Sequence, residues 1–146
     1  MGTWDIGPLD NDTAADFAYT LDETVLAERE NLIRSTLART VQTQDYLDSS
    51  EAVEAVAAAA LVAAQCPDGE PITTGYGPDE ALPLLATDLR TLAAEALDRV
   101  LAEKSELAEL WDDAVDGPRW RQSVSSLRAI LDPQPQPQPQ EPLFEI

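Results

Sequence analysis

An all-α fold, a compact bundle of about six helices, is what this sequence predicts. Three observations carry the prediction. Apolar residues recur three or four positions apart through most of residues 12 to 131, the period of a helix with one buried face. Short polar runs rich in Asp, Ser and Thr precede several of these segments, where N-caps belong. No stretch alternates convincingly as a strand does; Pro71-Ile72-Thr73-Thr74 is the only candidate, and a weak one. At 146 residues the chain can bury one core without disulfide staples. Residues 1–131 form the helical domain, and residues 132–146 form a tail of different composition.

The first helix is a short one over Ala14-Ala15-Asp16-Phe17-Ala18-Tyr19, capped from Asp10-Asn11-Asp12-Thr13. A second runs from about Thr24 to Val41, with Leu26, Ile33, Leu37 and Val41 along one stripe. Asp48-Ser49-Ser50-Glu51 has capping-box spacing and opens the third. There Val53, Val56, Ala57, Ala60, Leu61 and Ala64 keep helical spacing while Ala58, Ala59 and Ala63 fill the other sides. A helix apolar nearly all round must be enclosed, so this one is expected at the centre.

Residues 66–86 break the pattern: Pro67, Gly69, Pro71, Gly75, Gly77, Pro78 and Pro83 punctuate a long irregular loop, the kind of segment that often carries function. The fourth helix begins near Thr87, with Leu89, Leu92, Ala93, Ala96, Leu97, Val100 and Leu101 as its stripe and Glu95–Arg99 as an i,i+4 pair on the wet side. Ser105 caps a fifth helix carrying Leu107, Leu110 and Trp111. Gly117-Pro118 reads as cap and first turn of a sixth, whose inner face is Trp120, Val124, Leu127 and Leu131. Asp132-Pro133 ends it, and Pro-Gln repeats follow to Gln140. That composition favours polyproline II, a semi-rigid spacer of roughly 25–30 Å. Leu143, Phe144 and Ile146 at its tip could dock, fold back or fray.

Charge excludes more functions than it suggests. There are 28 Asp and Glu against 9 Lys and Arg, no histidine, and a formal net charge of -19. Nucleic acids and anionic membranes draw their protein affinity from Lys and Arg, so neither is an expected partner. Without histidine the commonest general base near neutral pH and the commonest transition-metal ligand are both missing. No base precedes Arg29 and none lies between Arg39 and Arg90, so one side of the fold could be strongly negative. This charge keeps a protein dispersed, and it can also steer a basic partner. The lone Cys66 excludes an internal disulfide; with no histidine to activate it, a structural thiol is expected. The opening residues lack the basic region and apolar core of a signal peptide, and the longest apolar run, residues 55–64, is too short to span a bilayer. A soluble, cytoplasmic protein is expected.

Two constellations merit weighing. In the N-terminal one, Asp10, Asn11, Asp12 and neighbouring oxygen-bearing residues could hold a hard cation, but the spacing is not that of an EF-hand. Capping the first helix and complementing its dipole is the simpler role. The second is Trp111-Asp112-Asp113-Ala114-Val115-Asp116-Gly117-Pro118-Arg119-Trp120, which gathers two of three tryptophans at a helix–helix corner. Trp with Arg is the composition of interface hot spots. Corner packing, with both rings inward and Arg119 paired to an acid, is the simpler alternative, and the two can coexist. Elsewhere paired carboxylates are uninformative in so acidic a chain, and Gly75-Tyr76-Gly77 is no phosphate loop. No cofactor and no metal is called for.

Taken together, Met1-Gly2-Thr3-Trp4, Gly7-Pro8, Asp10-Asn11-Asp12-Thr13-Ala14-Ala15-Asp16-Phe17, Tyr76-Gly77-Pro78, Glu106-Leu107-Ala108-Glu109-Leu110-Trp111 and Gly117-Pro118-Arg119-Trp120 resemble a bacterial family, domain of unknown function 4259, common in actinobacteria. The resemblance covers roughly residues 1 to 131. Asp5 stands where many relatives are expected to have Gly, and Leu9 where Phe is expected. The resemblance implies a compact helical protein and supplies no activity.

The leading functional expectation is a small acidic protein-binding module, immunity-protein-like, antitoxin-like or an adaptor, for a basic partner. Its candidate binding residues are Trp111, Asp112, Asp116, Arg119, Trp120, Asp10, Asn11 and Asp12. A DNA mimic is a variant of it. The alternative is a small-molecule or divalent-metal binding protein, or an enzyme, using carboxylates near the N-terminal arm and the 66–86 loop. A subunit assembled through the alanine-rich helix or the tail ranks third.

Overall fold

Alanine decides the architecture. From Ala52 to Ala63 every side chain except Glu54 is buried, because the third helix is apolar on all sides and small enough for neighbours to close in around it. The computed structural model describes residues 12–66 and 88–131, apart from the side chains of Asp12 and Leu26. Its helices are α1 (Asp12–Glu23), α2 (Leu26–Gln42), α3 (Ser49–Ala63), α4 (Asp88–Leu101), α5 (Glu106–Asp112) and α6 (Gly117–Leu131). Helix α3 touches α1, α2, α4, α5 and α6, which confirms it as the centre of an all-α bundle. Among the described residues there is no strand, only an isolated bridge between Leu47 and Ser105. The N-terminal arm, the expected loop beyond Cys66 with its weak strand candidate, and the 132–146 tail lie outside the described residues.

Around α3 the large side chains Leu21, Ile33, Leu37, Leu47, Leu89, Leu97, Leu107 and Leu131 are fully enclosed. Each contributes roughly 1.5–3 kcal/mol of apolar burial, so the bundle rests on leucines from five elements packed on an alanine axis. Cys66 is also buried, its thiol directed at the Val62 carbonyl oxygen at 3.5 Å.

Helix ends depend on long-range partners more than on local caps. Asp48 does cap α3, accepting from the Ser50 N–H at 2.9 Å. The next free donor, the Ser49 N–H, is met from outside the helix: it donates to Glu106 Oε1 of α5 at 2.8 Å. At the end of α1 no basic residue occupies the last turn. Arg29, buried in α2, reaches back and donates to the carbonyls of Thr24 (2.8 Å) and Asp22 (3.2 Å). Arg90 of α4 does the same for α6, donating to Ile130 and Leu131, both at 3.3 Å. Cations at helix C-termini satisfy orphan carbonyls and oppose the dipole's negative end.

The expected Glu95–Arg99 pair is a correction. All the hydrogen bonds of Arg99 go to main-chain carbonyls, on Thr43 at 2.9 Å, Asp45, Glu103 at 3.2 Å and Lys104 at 3.3 Å. Four fixed carbonyls converging on one planar fork outcompete a single mobile carboxylate on the solvent side of a helix. Lys104 stands at φ 63, the left-handed region, and this turns its carbonyl to accept from Leu47 N–H at 2.7 Å. The 43–48 segment is thereby stitched to the α4–α5 turn.

The other arginines bridge to carboxylates. Arg34 binds Asp88 through two bonds of 2.8 and 3.1 Å and also reaches Glu30, tying α2 to α4. Arg128 binds both oxygens of Asp98, tying α6 to α4. Arg39 faces Glu54 at 3.4 Å. Every arginine of the chain is thus engaged inside the fold, whereas many carboxylates, Glu23, Asp45, Glu95, Glu103 and Asp113 among them, face solvent.

One core group is poorly served. Thr40 is fully buried in α2 and its hydroxyl has no partner among the described residues. Replacing it by the isosteric Val removes that penalty, so Thr40→Val is expected to leave stability unchanged or raise it by about 1 kcal/mol. Urea denaturation of the two proteins measures this; a loss above 1 kcal/mol would show a concealed bond to that hydroxyl.

Candidate functional site

The corner between α5 and α6 is built by three tight backbone contacts. Ala114 N–H donates to Trp111 O at 2.9 Å, Gly117 N–H to Ala114 O at 3.1 Å, and Trp120 N–H to Asp116 O at 3.0 Å. The last of these makes Asp116, rather than Gly117, the residue whose carbonyl opens α6; Gly117 falls inside the first turn, one position later than the sequence suggests. Glycine is required there by close approach. A Cβ on residue 117 would lie 2.1 Å from the main-chain oxygen of Trp111.

That approach brings the two indoles face to face. The Trp111 and Trp120 ring centroids are 5.7 Å apart and nearly parallel, with an interplanar angle of 5°. Both rings are buried, at 7% and 4% exposure, so they back the corner from inside and present almost no surface of their own.

Asp112, Asp116 and Arg119 lie on the outer side of the same corner. Arg121 holds both oxygens of Asp112, at 2.8 and 2.9 Å, and its hydrogen bonds keep that carboxyl below the usual carboxylate range. The same guanidinium reaches the Leu101 carbonyl at 3.5 Å, linking α6 to the end of α4. Arg119 pairs with Asp116 at 3.7 Å, an exposed contact of small energetic weight. The structure therefore brings Trp111, Asp112, Asp116, Arg119 and Trp120 together. Asp10 and Asn11 lie outside the described residues, and Asp12 is placed only as the first residue of α1.

Three further residues complete this surface and were not singled out by the sequence. Leu110 is half exposed at 49%, unlike Leu107 and Trp111 of the same helix. A seven-residue helix has one inner face, and Leu107 and Trp111, one turn apart, already fill it. Val115 is 97% exposed between Asp113 and Asp116; an aliphatic residue isolated in an acidic turn was the legible signal. Tyr46, 52% exposed, is held against α5 by a hydrogen bond from its phenol to Glu109 Oε1 at 2.6 Å.

The Glu109 bond, with lesser contributions from desolvation and from the charges of Glu109 and Glu106, pushes the Tyr46 phenol up to about 12. A raised phenol contributes stability that is complete below its unfolded value near 10 and is lost as pH rises through about 12. Glu109→Gln is expected to bring Tyr46 back toward 10, measured by NMR titration of ring-labelled tyrosine; an unchanged titration would show that Glu109 is not the cause.

A family described as "Domain of unknown function (DUF4259)" matches residues 2–123, from the N-terminal arm into α6. The chain belongs to the DUF4259 family. In this DUF4259 protein the match spans the whole corner, from Glu106 to Trp120. No curated protein matches the chain, and no solved structure does. Among the described residues, no group of three or more Cys, Asp or Glu side chains is arranged to hold a metal ion, and no helix is long and apolar enough to cross a membrane.

Proposed function

We propose that this DUF4259 protein is a cytoplasmic protein-binding module whose α5–α6 corner docks a basic partner. The observation that supports it is the company kept by two exposed aliphatic residues. Leu110 and Val115 stand among Glu109, Asp112, Asp113 and Asp116, and the two cations nearby, Arg119 and Arg121, are engaged by Asp116 and Asp112. The stacked tryptophans behind them fix the corner's shape, so little conformational freedom is lost on docking. Apolar contact supplies affinity, and the surrounding carboxylates supply steering and orientation toward a basic surface.

The test uses the full chain as bait at low salt, beside the variant Leu110→Ser/Val115→Ser. Its positions are exposed, so the variant should keep the wild-type melting temperature. The expected result is a stoichiometric basic protein retained by the wild type, lost by the variant, and released as salt is raised to 1 M. Retention by both proteins at 1 M salt would refute both the face and the electrostatic basis.

A further inference from the structure

Away from the corner, α1, α2 and α3 line a half-open cleft of about 170 Å³, with Asp16, Thr20, Ser35 and Arg39 at its exposed rim. Phe17 and Leu32 give it an apolar wall; Asp16, Thr20, Ser35, Thr36, Arg39 and Glu54 give it polar ones. Counting donors and acceptors shows what it suits. The Thr20 hydroxyl donates to Asp16 O at 3.0 Å, and those of Ser35 and Thr36 both donate to Leu32 O, at 3.1 and 2.8 Å. Each hydroxyl proton is committed to its own helix, so each retains only acceptor capacity for a ligand. The two carboxylates are acceptors as well. The one donor side chain, Arg39, is already drawn toward Glu54 in a single 3.4 Å contact.

Glu54 is the most covered of the charged groups here. It is the one side chain between Ala52 and Ala63 that is not buried apolar surface, and two-thirds of it is covered. That covering pushes its carboxyl upward against the opposing pull of Arg39, and Glu51, one turn earlier, adds to the rise. A partly desolvated carboxylate with one long ion pair favours a second cation. The volume is below the roughly 300–1,000 Å³ of drug-sized sites, so it admits a head group on a short stem rather than a nucleotide or a sugar chain.

We infer that the α1–α2–α3 cleft is a binding site for an alkylammonium group, its three N–H donors shared among Glu54, Asp16 and the neighbouring threonine and serine hydroxyl oxygens and its carbon stem against Phe17 and Leu32. The ammonium belongs either to a free small amine or to a lysine side chain. The site is separate from the corner and does not depend on it.

Propylammonium and N-acetyl-lysine methylamide, titrated into the isotopically labelled full chain, test the assignment. The expected result is a saturable set of amide shifts confined to α1, α2 and α3 around Phe17, Thr36 and Glu54. Propanol, which lacks the charge, and tetramethylammonium, which lacks N–H donors, should produce none. Glu54→Gln, which keeps the shape, should weaken propylammonium at least tenfold, and Leu110→Ser/Val115→Ser should leave it unchanged. Saturation by propylammonium alone identifies a free amine as the ligand, and saturation by both probes identifies a lysine side chain as an admissible one. Shifts spread over the whole acidic surface, equal shifts with tetramethylammonium, or an unaltered affinity in Glu54→Gln would each overturn the site.

Discussion

Replacing Trp120 by alanine is expected to cost about 3–5 kcal/mol of stability, the largest single effect available outside the alanine axis. The ring is 4% exposed, stacks on Trp111, and stands in the first turn of α6 beside the corner. Its removal leaves a cavity that α3 cannot fill, since α3 faces its neighbours with alanine and is held by five other helices. In a domain of this size the loss corresponds to a fall in melting temperature on the order of 10–20 °C. Trp111 loses its cover at the same time, so its emission should move to the red in the still-folded variant. Trp120→Phe keeps part of the area and should recover about half the loss. A cost under 1 kcal/mol would mean that the stack lies outside the core.

Gly117→Ala tests the same corner from the backbone. The added Cβ would stand 2.1 Å from the Trp111 oxygen and 3.0 Å from its carbonyl carbon. Both are main-chain atoms, and the oxygen also accepts from Ala114 N–H, so the obstacle cannot swing aside as a side chain would. Either α6 moves off α5 or the corner opens, and about 3 kcal/mol of destabilisation follows. Opening separates the indoles, so the two substitutions act on one unit, and the double variant should be less destabilised than the sum of the singles. Thermal melts of the single and double variants measure this. Full additivity would show that the glycine and the stack are independent.

These effects bear on how binding is to be read. Both tryptophans are inside, and alanine at either position changes the shape of the proposed docking face by loosening it. Loss of partner in such variants reports stability; loss in Leu110→Ser/Val115→Ser reports contact. The hot-spot composition of this segment was legible in its residues, but which of them face outward was not. Trp, Asp and Arg at a corner are compatible with a packed or a presented arrangement, and one buried contact, Gly117 on the Trp111 carbonyl, selects the packed one.

The same division runs through the fold. Alternation of apolar and polar residues every three to four positions placed the helices, because that period is set by the geometry of the helix itself. Alanine on all sides of α3 put it at the centre, because a helix with no wet face has nowhere else to go. Asp48 and Ser105 marked their helix starts because a side-chain oxygen beside free N–H groups is a local fact.

What required tertiary structure is the destination of most of the arginines, the local Arg119–Asp116 pair aside. Arg29, Arg90 and Arg99 lie on main-chain carbonyls supplied by other segments, and Arg34, Arg121 and Arg128 on carboxylates nine to fifty-four residues away. In a chain with three acids for every base, the nearest carboxylate in sequence carries little information. The choice falls to whichever acceptors are already fixed in place when the helices meet, since a long charged side chain gains most where its partner has no freedom left to lose. The sequence by itself thus determined which elements form and which one is enclosed. Only the packed bundle decided which cations are consumed within it, and so which carboxylates are left facing solvent.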